Sequence, residues 1–465
     1  MASAAVLRSD ETPLSIKLGE LPPFRKRRAA FVANLLCLFF GNEASTKLLR
    51  HEVGCIESYG GRLIPILKLL YQGGHCDLVV EEKPQAALLE YFADSLGLDL
   101  PDIYVLPHDE YLKVSQDLNR EGRTTPSQIP ANLKAHRLDL IDGYVTDEKL
   151  NQLARFCDTT TTTTPEGSRR GNNKLLLHQH LEEQGLPVFD TVIVASSEDL
   201  AQGVQQLSRA GYRRAVLKSQ IGASGIGIEQ FNLDQAPTEI SAHMFYEGSC
   251  LLQGWLEPGL GSVDLIFSPS VQIFLDDETG IHLFDLTEQI LSHNKVHEGN
   301  ISPSPHLTDR PDLREQILSQ AQIAARWLFQ QGYRGTGSID FLVASSHDQK
   351  EPTVYICEIN ARITGATYPA LLAHHLKPGR AWLLRNLKFA APLPATRILR
   401  LLDEHGHLFQ VGKAGGVVPL NFNANANGLV EKGQFLCLGS DAAACHTFLL
   451  CAEQDLPIDW EYIRD

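Results

Sequence analysis

The sequence predicts a mixed α/β chain: a parallel α/β domain first, an α+β core behind it, and a short C-terminal extension. Three observations predict this. Apolar runs alternate with amphipathic runs from about residue 28 to 150, the pattern of strands joined by helices in a parallel sheet. Beyond residue 240 strand-like segments follow one another closely, as in an antiparallel sheet. The length of 465 residues suits two or three domains or subdomains with ample core.

Residues 1–27 are polar, contain prolines and read as a flexible arm. Arg25-Lys26-Arg27-Arg28 precedes the apolar run 29–40, an order that export signals also show. That run is short of the roughly 20 residues a bilayer requires, and Gly41-Asn42-Glu43 follows at once, so Phe31–Phe40 is read as a buried strand. Within 28–150, Leu63–Tyr71 reads as a helix, Cys76–Val80 as a strand, Gln85–Leu96 as a helix and Asp102–Leu106 as a strand. Thr159–Thr164, with Pro165 and the stretch to Gly171, has no periodicity and reads as an exposed loop at a boundary.

Lys174–Gln184 is predicted helical, stopped by Gly185 and Pro187. Strands are expected at Thr191–Ala195 and Arg214–Lys218, with a helix over Ser197–Ala210 between them. Further strands are expected at Cys250–Leu256, Ser262–Phe267, Val271–Leu275 and His282–Leu286. A long helix spans Asp312–Gln331, with Pro311 before it and Gly332 after it. Strands Gly337–Val343 and Val354–Asn360, a helix near Tyr368–Leu376 and an amphipathic stretch Asp441–Gln454 complete the reading. The segments expected are 28–150, 151–248, 249–394 and 395–465.

A net charge of -15 argues against a nucleic-acid-binding surface, which needs a basic stripe. The nine cysteines contain no Cys-x-x-Cys spacing and several lie in apolar runs, which suits free thiols in a reducing cytoplasm. No membrane partner is expected.

The chemistry concentrates in Glu358-Ile359-Asn360-Ala361-Arg362. On an extended strand Glu358, Asn360 and Arg362 would share one face, because strand side chains alternate with period 2. Glu358 and Asn360 could then hold Mg²⁺, with Arg362 beside a phosphate. Asp340 lies between Ile339 and Phe341 on the preceding strand, and an antiparallel hairpin would bring it to the same place. Two carboxylates and an amide oxygen suit a hard cation. Lys218 ends a strand and leads into the Gly/Ser-rich loop 222–227, where glycines let backbone N–H groups approach phosphate oxygens. The loop is neither a Walker A loop nor GxGxxG.

This order of a lysine and glycine-rich loop, an acid on a strand, then E-x-N-x-R on the next strand resembles the ATP-grasp superfamily from about Asn172 to Leu376. The resemblance implies an ATP-grasp fold behind a parallel pre-ATP-grasp domain. It implies that Lys174 and Lys218 meet the nucleotide phosphates and that Gly222, Ser224, Gly225 and Gly227 cover them. Gln253, Trp255 and Leu256 match the strand that receives adenine. The ribose acid stays open between Glu257 and Asp264. Asp340, Glu358 and Asn360 match the ligands of Mg²⁺, with Mn²⁺ as an alternative, and Arg362 and Lys218 the groups that act on the reacting phosphate. The blocks Gly54–Val80 and Gly415–Cys445 are similar to those of pheganomycin-type peptide ligases.

The family implies a cytoplasmic ATP-dependent carboxylate–amine ligase of specialised metabolism. A small-molecule acid becomes an acyl phosphate, an amine captures it, and ADP and phosphate leave. No cysteine is placed to serve that chemistry. Glu288, Gln289, His293 and His297, in a polar stretch expected between strands, are candidates for the substrate side, together with Thr364 and Gly365. Family members often pair, so a homodimer is open. Two rivals remain: a carboxylase or carbamoyl-type enzyme of the same fold using bicarbonate, and a nucleotide-binding regulator without turnover.

Overall fold

A computed structural model of the chain describes residues 12–53, 58–118, 128–260, 263–291, 297–346 and 351–460. Among the described residues three sheets carry the fold. The first is parallel, with Asp102–Val105, Cys76–Val80, Ala29–Val32, Leu140–Gly143 and Thr160–Thr161 in that spatial order. Cys76–Val80 and Ala29–Val32 are buried along their whole length, as strands covered on both faces must be.

The strand expected over Phe31–Phe40 stops at Val32, and Leu35–Cys37 is a short 3₁₀ turn. Asn34 fixes this change of direction by donating its Nδ2 to the Val145 carbonyl at 2.8 Å. Residues 31–39 are buried either way, so their apolar composition does not distinguish strand from turn. The helix expected over Leu63–Tyr71 is confined to Leu67–Leu70, after turns that contain Pro65.

The stretch read as an exposed loop is ordered and partly buried. Thr160–Thr161 joins the parallel sheet, and Pro165–Gly171 is a helix whose N-cap, Thr164, accepts from the Gly167 N–H. Gly167 and Gly171 are buried against Gly332 and Ala361, where no Cβ fits. In its described part the N-terminal arm is not loose either. Leu14–Ile16 pairs in parallel with Ile281–Leu283, and Arg25 forms an ion pair with Asp276.

The second sheet is antiparallel and four-stranded: Thr191–Val194, Cys250–Gly254, Arg214–Ala223 and Ile226–Asn232. The third has ten strands. The helix Pro311–Gln330 covers one of its faces, burying Leu313, Ile317, Ala321, Ala324 and Leu328 against Val271, Ile273 and Leu283. The other face is polar and carries the site described next. Gly416–Ala424 and Val430–Gly439 extend this sheet through Ala381–Leu393, so the C-terminal segment continues the core sheet. Among the described residues no helix is long and apolar enough to cross a membrane.

Candidate active site

Gly335–Ser346 and Thr353–Asn360 pair antiparallel, with Asp340 opposite Glu358 and Ser338 opposite Asn360. The hairpin expected from the sequence therefore forms. A register shift after Asp340 leaves Cys357 as an extra residue, since Phe341 already pairs with Ile356. Period 2 alone would put Ile356 and Glu358 on one face. The bulge lets Phe341 and Ile356 enter the core while Asp340 and Glu358 face the site.

Asp340 accepts from Ser270 Oγ at 2.6 Å and from Asn360 Nδ2 at 2.8 Å. Burial, then the neighbouring Glu358 charge, pushes its carboxyl up to about 6. Glu358 has a cation of its own, Lys174 Nζ at 3.0 Å. Burial alone would raise Glu358; Lys174, with Arg362 and Lys218, outweighs it and holds the carboxyl at about 2. Two opposed carboxylates plus an amide are the oxygen donors that Mg²⁺ takes. Asp340, held by neutral donors and raised by burial, is the member short of a cation, so the set fits a divalent ion.

Arg362 departs from the alternating face. The strand ends at Asn360, and the Arg362 N–H folds back onto the Asn360 carbonyl at 2.9 Å. Its guanidinium is held by Asn172, whose Oδ1 accepts from Arg362 Nη1 at 2.7 Å and from the Ala361 N–H at 3.2 Å. Asn172 itself donates to the Ser168 carbonyl at 2.8 Å. Sequence reasoning did not give Asn172 this role; its place two residues before Lys174 was the only signal.

Lys174 is the first residue of the helix Lys174–Glu183, capped by Asn173, whose side chain accepts from the Leu175 and Leu176 N–H groups. The helix start adds positive potential to that of the lysine. Beside it a narrow cleft is walled by Leu181, Val188, Phe189, Leu251 and Ile356, with Lys218 among its lining. Lys218 Nζ sits 5.5 Å from the Phe189 ring centre, and burial lowers its pKa. An apolar slot with cations beside it suits a flat aromatic group bearing anions. Cys357 also lines this cleft, although no cysteine was expected there; burial pushes its thiol up to about 12, so it stays protonated.

The loop 222–227 is the tip of a hairpin. Ser224 and Gly225 carry φ values of +53° and +80°, the two positive angles of a type I′ turn. The Gly222 carbonyl accepts from Lys174 Nζ at 3.4 Å, and a Cβ at Gly227 would meet Ser219 Oγ at 2.1 Å. The tip residues Ala223 and Ile226 pack into the N-terminal core.

On the strand Cys250–Gly254, Gln253 lines the cleft and donates Nε2 to Thr191 Oγ1 at 3.0 Å. The N–H groups of Gly254 and Trp255 bond the Asp190 and Arg214 carbonyls. The Trp255 ring lies against Arg214, and Leu256 follows it outside the strand. Glu257 is paired with Arg213 at 3.5 Å and Arg214 at 3.3 Å. Asp264 is exposed on Val263–Phe267.

The stretch expected between strands is itself largely strand: Glu288 and Gln289 lie on Gly280–Leu291, and His297 begins His297–Ser302. His293 lies outside the described residues. Gln289 pairs with Asn300, which donates to Thr287 Oγ1 at 3.1 Å on the polar face. His297, partly open to solvent, places Nε2 2.5 Å from Asn300 Oδ1. Gly365 leaves room for it, since a Cβ there would come within 2.9 Å of the His297 ring. Thr364 Oγ1 reaches Thr367 at 2.9 Å and Gln272 at 3.4 Å. Gln289, His297, Thr364 and Gly365 thus share the polar face.

Glu288 does not. It is adjacent to Thr287 on the strand and points to the opposite face, where Ser268 N–H and Ser304 Oγ donate to it at 2.6 and 2.8 Å. Burial pushes it up to about 7. A carboxyl raised by folding gives its full stabilisation below its ordinary value of 4.5 and loses it as pH rises through about 7. Glu288→Gln should therefore flatten the decline in melting temperature across this interval. Thermal melts from pH 4.5 to 8 check this; an unchanged slope would place the proton elsewhere.

The sequence model of the ATP-grasp domain matches residues 171–366. A curated relative, the [butirosin acyl-carrier protein]–L-glutamate ligase of Niallia circulans, is 29% identical over 248 residues, 52% of this chain and 54% of the relative. The chain thus spans about half the length of the curated relative it matches. The biotin carboxylase of Campylobacter jejuni superposes with a TM-score of 0.58 at 15% identity, over 93% of this chain and 92% of that one. The N5-carboxyaminoimidazole synthetase of Staphylococcus aureus, solved with ADP, gives 0.51 at 14% identity, over 94% and 99%. At these identities the two structures speak for the fold.

Proposed function

We propose, with an ATP-grasp domain at residues 171–366 as the premise, that this chain joins a carboxylic acid to an amine at the expense of ATP, through an acyl phosphate. The observation that carries the reading is the convergence of Lys174, at the start of a helix, with Asp340, Glu358 and Asn360 of the paired strands, beside an apolar cleft that Lys218 helps to line.

The base of ATP would lie in the apolar slot. Because the Gly254 and Trp255 N–H groups are already committed, the adenine edge would fall to the Leu256 N–H. Glu257 is engaged by two arginines, so a ribose contact through it would share that pair. Asp340, Glu358 and Asn360 would hold Mg²⁺, which neutralises phosphate charge when bound. Lys174 and Lys218 place fixed positive charge beside the phosphates, where two anions must meet. A carboxylate oxygen attacks the γ-phosphorus and the bond to ADP breaks. Arg362, oriented by Asn172, steadies the acyl phosphate until the amine nitrogen attacks the acyl carbon and phosphate leaves. The 222–227 hairpin would limit water, whose attack would waste the intermediate.

The acid is an amino acid or a similar small acid. The relative is named for L-glutamate and an acyl-carrier protein, so carrier-borne acceptors belong beside free amines and peptides in a screen. Specialised metabolism and a cytoplasmic location are part of the same proposal. The test is product analysis with ATP, Mg²⁺ and pairs of acids and amines. ADP and phosphate in step with the amide support the reading; AMP and pyrophosphate would remove it. ATP turnover driven by bicarbonate alone would favour the carboxylase rival, and nucleotide binding without turnover across the screen would favour the regulator.

Asn172→Ala should lower kcat up to about 10²-fold with little change in the KM for ATP, because a displaced guanidinium misses the reacting group. Steady-state kinetics on a variant with unchanged circular dichroism check this. A pure KM effect would contradict the positioning role.

A further inference from the structure

A second cluster lies outside this site, at the N-terminal edge of the parallel sheet. His75 immediately precedes the strand Cys76–Val80, Asp77 lies on it, and His136 follows the helix Ile129–Ala135. Their donor atoms converge. His75 Nε2 is 2.9 Å from Asp77 Oδ1, His136 Nδ1 is 2.8 Å from Asp77 Oδ2, and the two nitrogens are 2.9 Å apart. The Asp77 side chain is fully buried, while the imidazoles keep 30% and 28% of their surface and so stay reachable from solvent.

With the Asp77 carboxylate acting only as an acceptor, no arrangement of protons on the two imidazoles satisfies all three contacts. If both facing nitrogens carry hydrogen to reach the carboxylate, two N–H groups meet head on at 2.9 Å. If one is bare, its lone pair faces a carboxylate oxygen. A cation resolves the conflict, because every facing atom then offers it a lone pair. Two nitrogens this far apart, each about 2.1 Å from a metal, subtend about 87°, the angle of a 2-His-1-carboxylate face; widening to about 3.4 Å gives the tetrahedron zinc prefers. Asp102 lies 3.8 Å from His75 Nδ1, on the side away from the cluster, where carboxylates orient metal-bound imidazoles.

We propose that His75, Asp77 and His136 bind one divalent transition-metal ion of the zinc type, which ties the start of Cys76–Val80 to the end of Ile129–Ala135. Solvent completes the coordination. The ion is independent of the Mg²⁺ of the active site and of the reaction there, and its role is to brace the parallel domain.

The experiment uses the full chain, stripped with a chelator and dialysed. Zn²⁺ is titrated against a chromophoric competitor without nucleotide. One equivalent should bind per chain, and the affinity should fall at least about 10²-fold in His75→Gln and His136→Gln but stay the same in Glu358→Gln. Both histidines are at the surface, so these variants should fold. X-ray absorption of the zinc-loaded wild-type chain is the second reading, with two imidazoles expected in its coordination shell. Absence of stoichiometric binding, binding retained in both histidine variants, or a shell without imidazole would each overturn the proposal.

Discussion

Glu358→Gln is expected to reduce turnover by about 10³-fold while the protein keeps its fold. The substitution preserves volume and removes one charge. That charge does two things at once: it pairs with Lys174 at 3.0 Å and completes, with Asp340 opposite it, the carboxylate pair that would hold Mg²⁺. Without it, the ion loses an anionic ligand and Lys174 loses the partner that aims it. Asp340 is left as the one carboxylate of the pair, with Ser270 and Asn360 already donating to it. Single-turnover kinetics at saturating Mg²⁺ give the measure, with circular dichroism as the control for folding. Turnover within a few-fold of wild type would take Glu358 out of the site.

Lys218→Met should produce a different signature: turnover lower by about 10²–10³-fold, with a melting temperature equal to or above that of wild type. Lys218 is half-buried, and the loss of water around its ammonium lowers its pKa, which means the folded protein bears a cost for keeping it charged. Its neighbours are the Phe189 ring and the half-buried Cys357 thiol, with Glu358 already engaged by Lys174. Methionine fills similar space without the charge. A residue retained at a cost to stability is one whose charge serves a ligand. A clear drop in melting temperature would mark Lys218 as structural, and retained activity would mark it as incidental.

The parts legible in the sequence were those where local pattern and tertiary structure agree. Cys76–Val80 is a strand in both. Asp340, Glu358 and Asn360 were readable because a polar residue inside an apolar strand needs a reason and two adjacent strands suggest a hairpin. Patterning misled where burial is complete or where capping substitutes for periodicity. Residues 31–39 are buried whether extended or turned, and Asn34, bonded through its side chain to both the carbonyl and the N–H of Val145, decides for the turn. Pro165–Gly171 has too few apolar residues to announce a helix, yet Thr164 caps it and buried glycines seat it against Ala361 and Gly332. Arg362 was placed by period 2 on a strand that ends two residues earlier, and Asn172, far away in sequence, sets its direction instead. The His75–Asp77–His136 cluster was invisible for the same reason, since His136 is 61 positions from His75.

The central claim is that the carboxylic acid is phosphorylated here before the amine arrives. It is tested most directly by labelling the acid's carboxylate with ¹⁸O and following the label through one round of ligation. Attack on the γ-phosphorus predicts one ¹⁸O in the released inorganic phosphate, carried there as the bridging oxygen of the acyl phosphate. Label in AMP, or inorganic phosphate free of label while amide accumulates, would contradict the account.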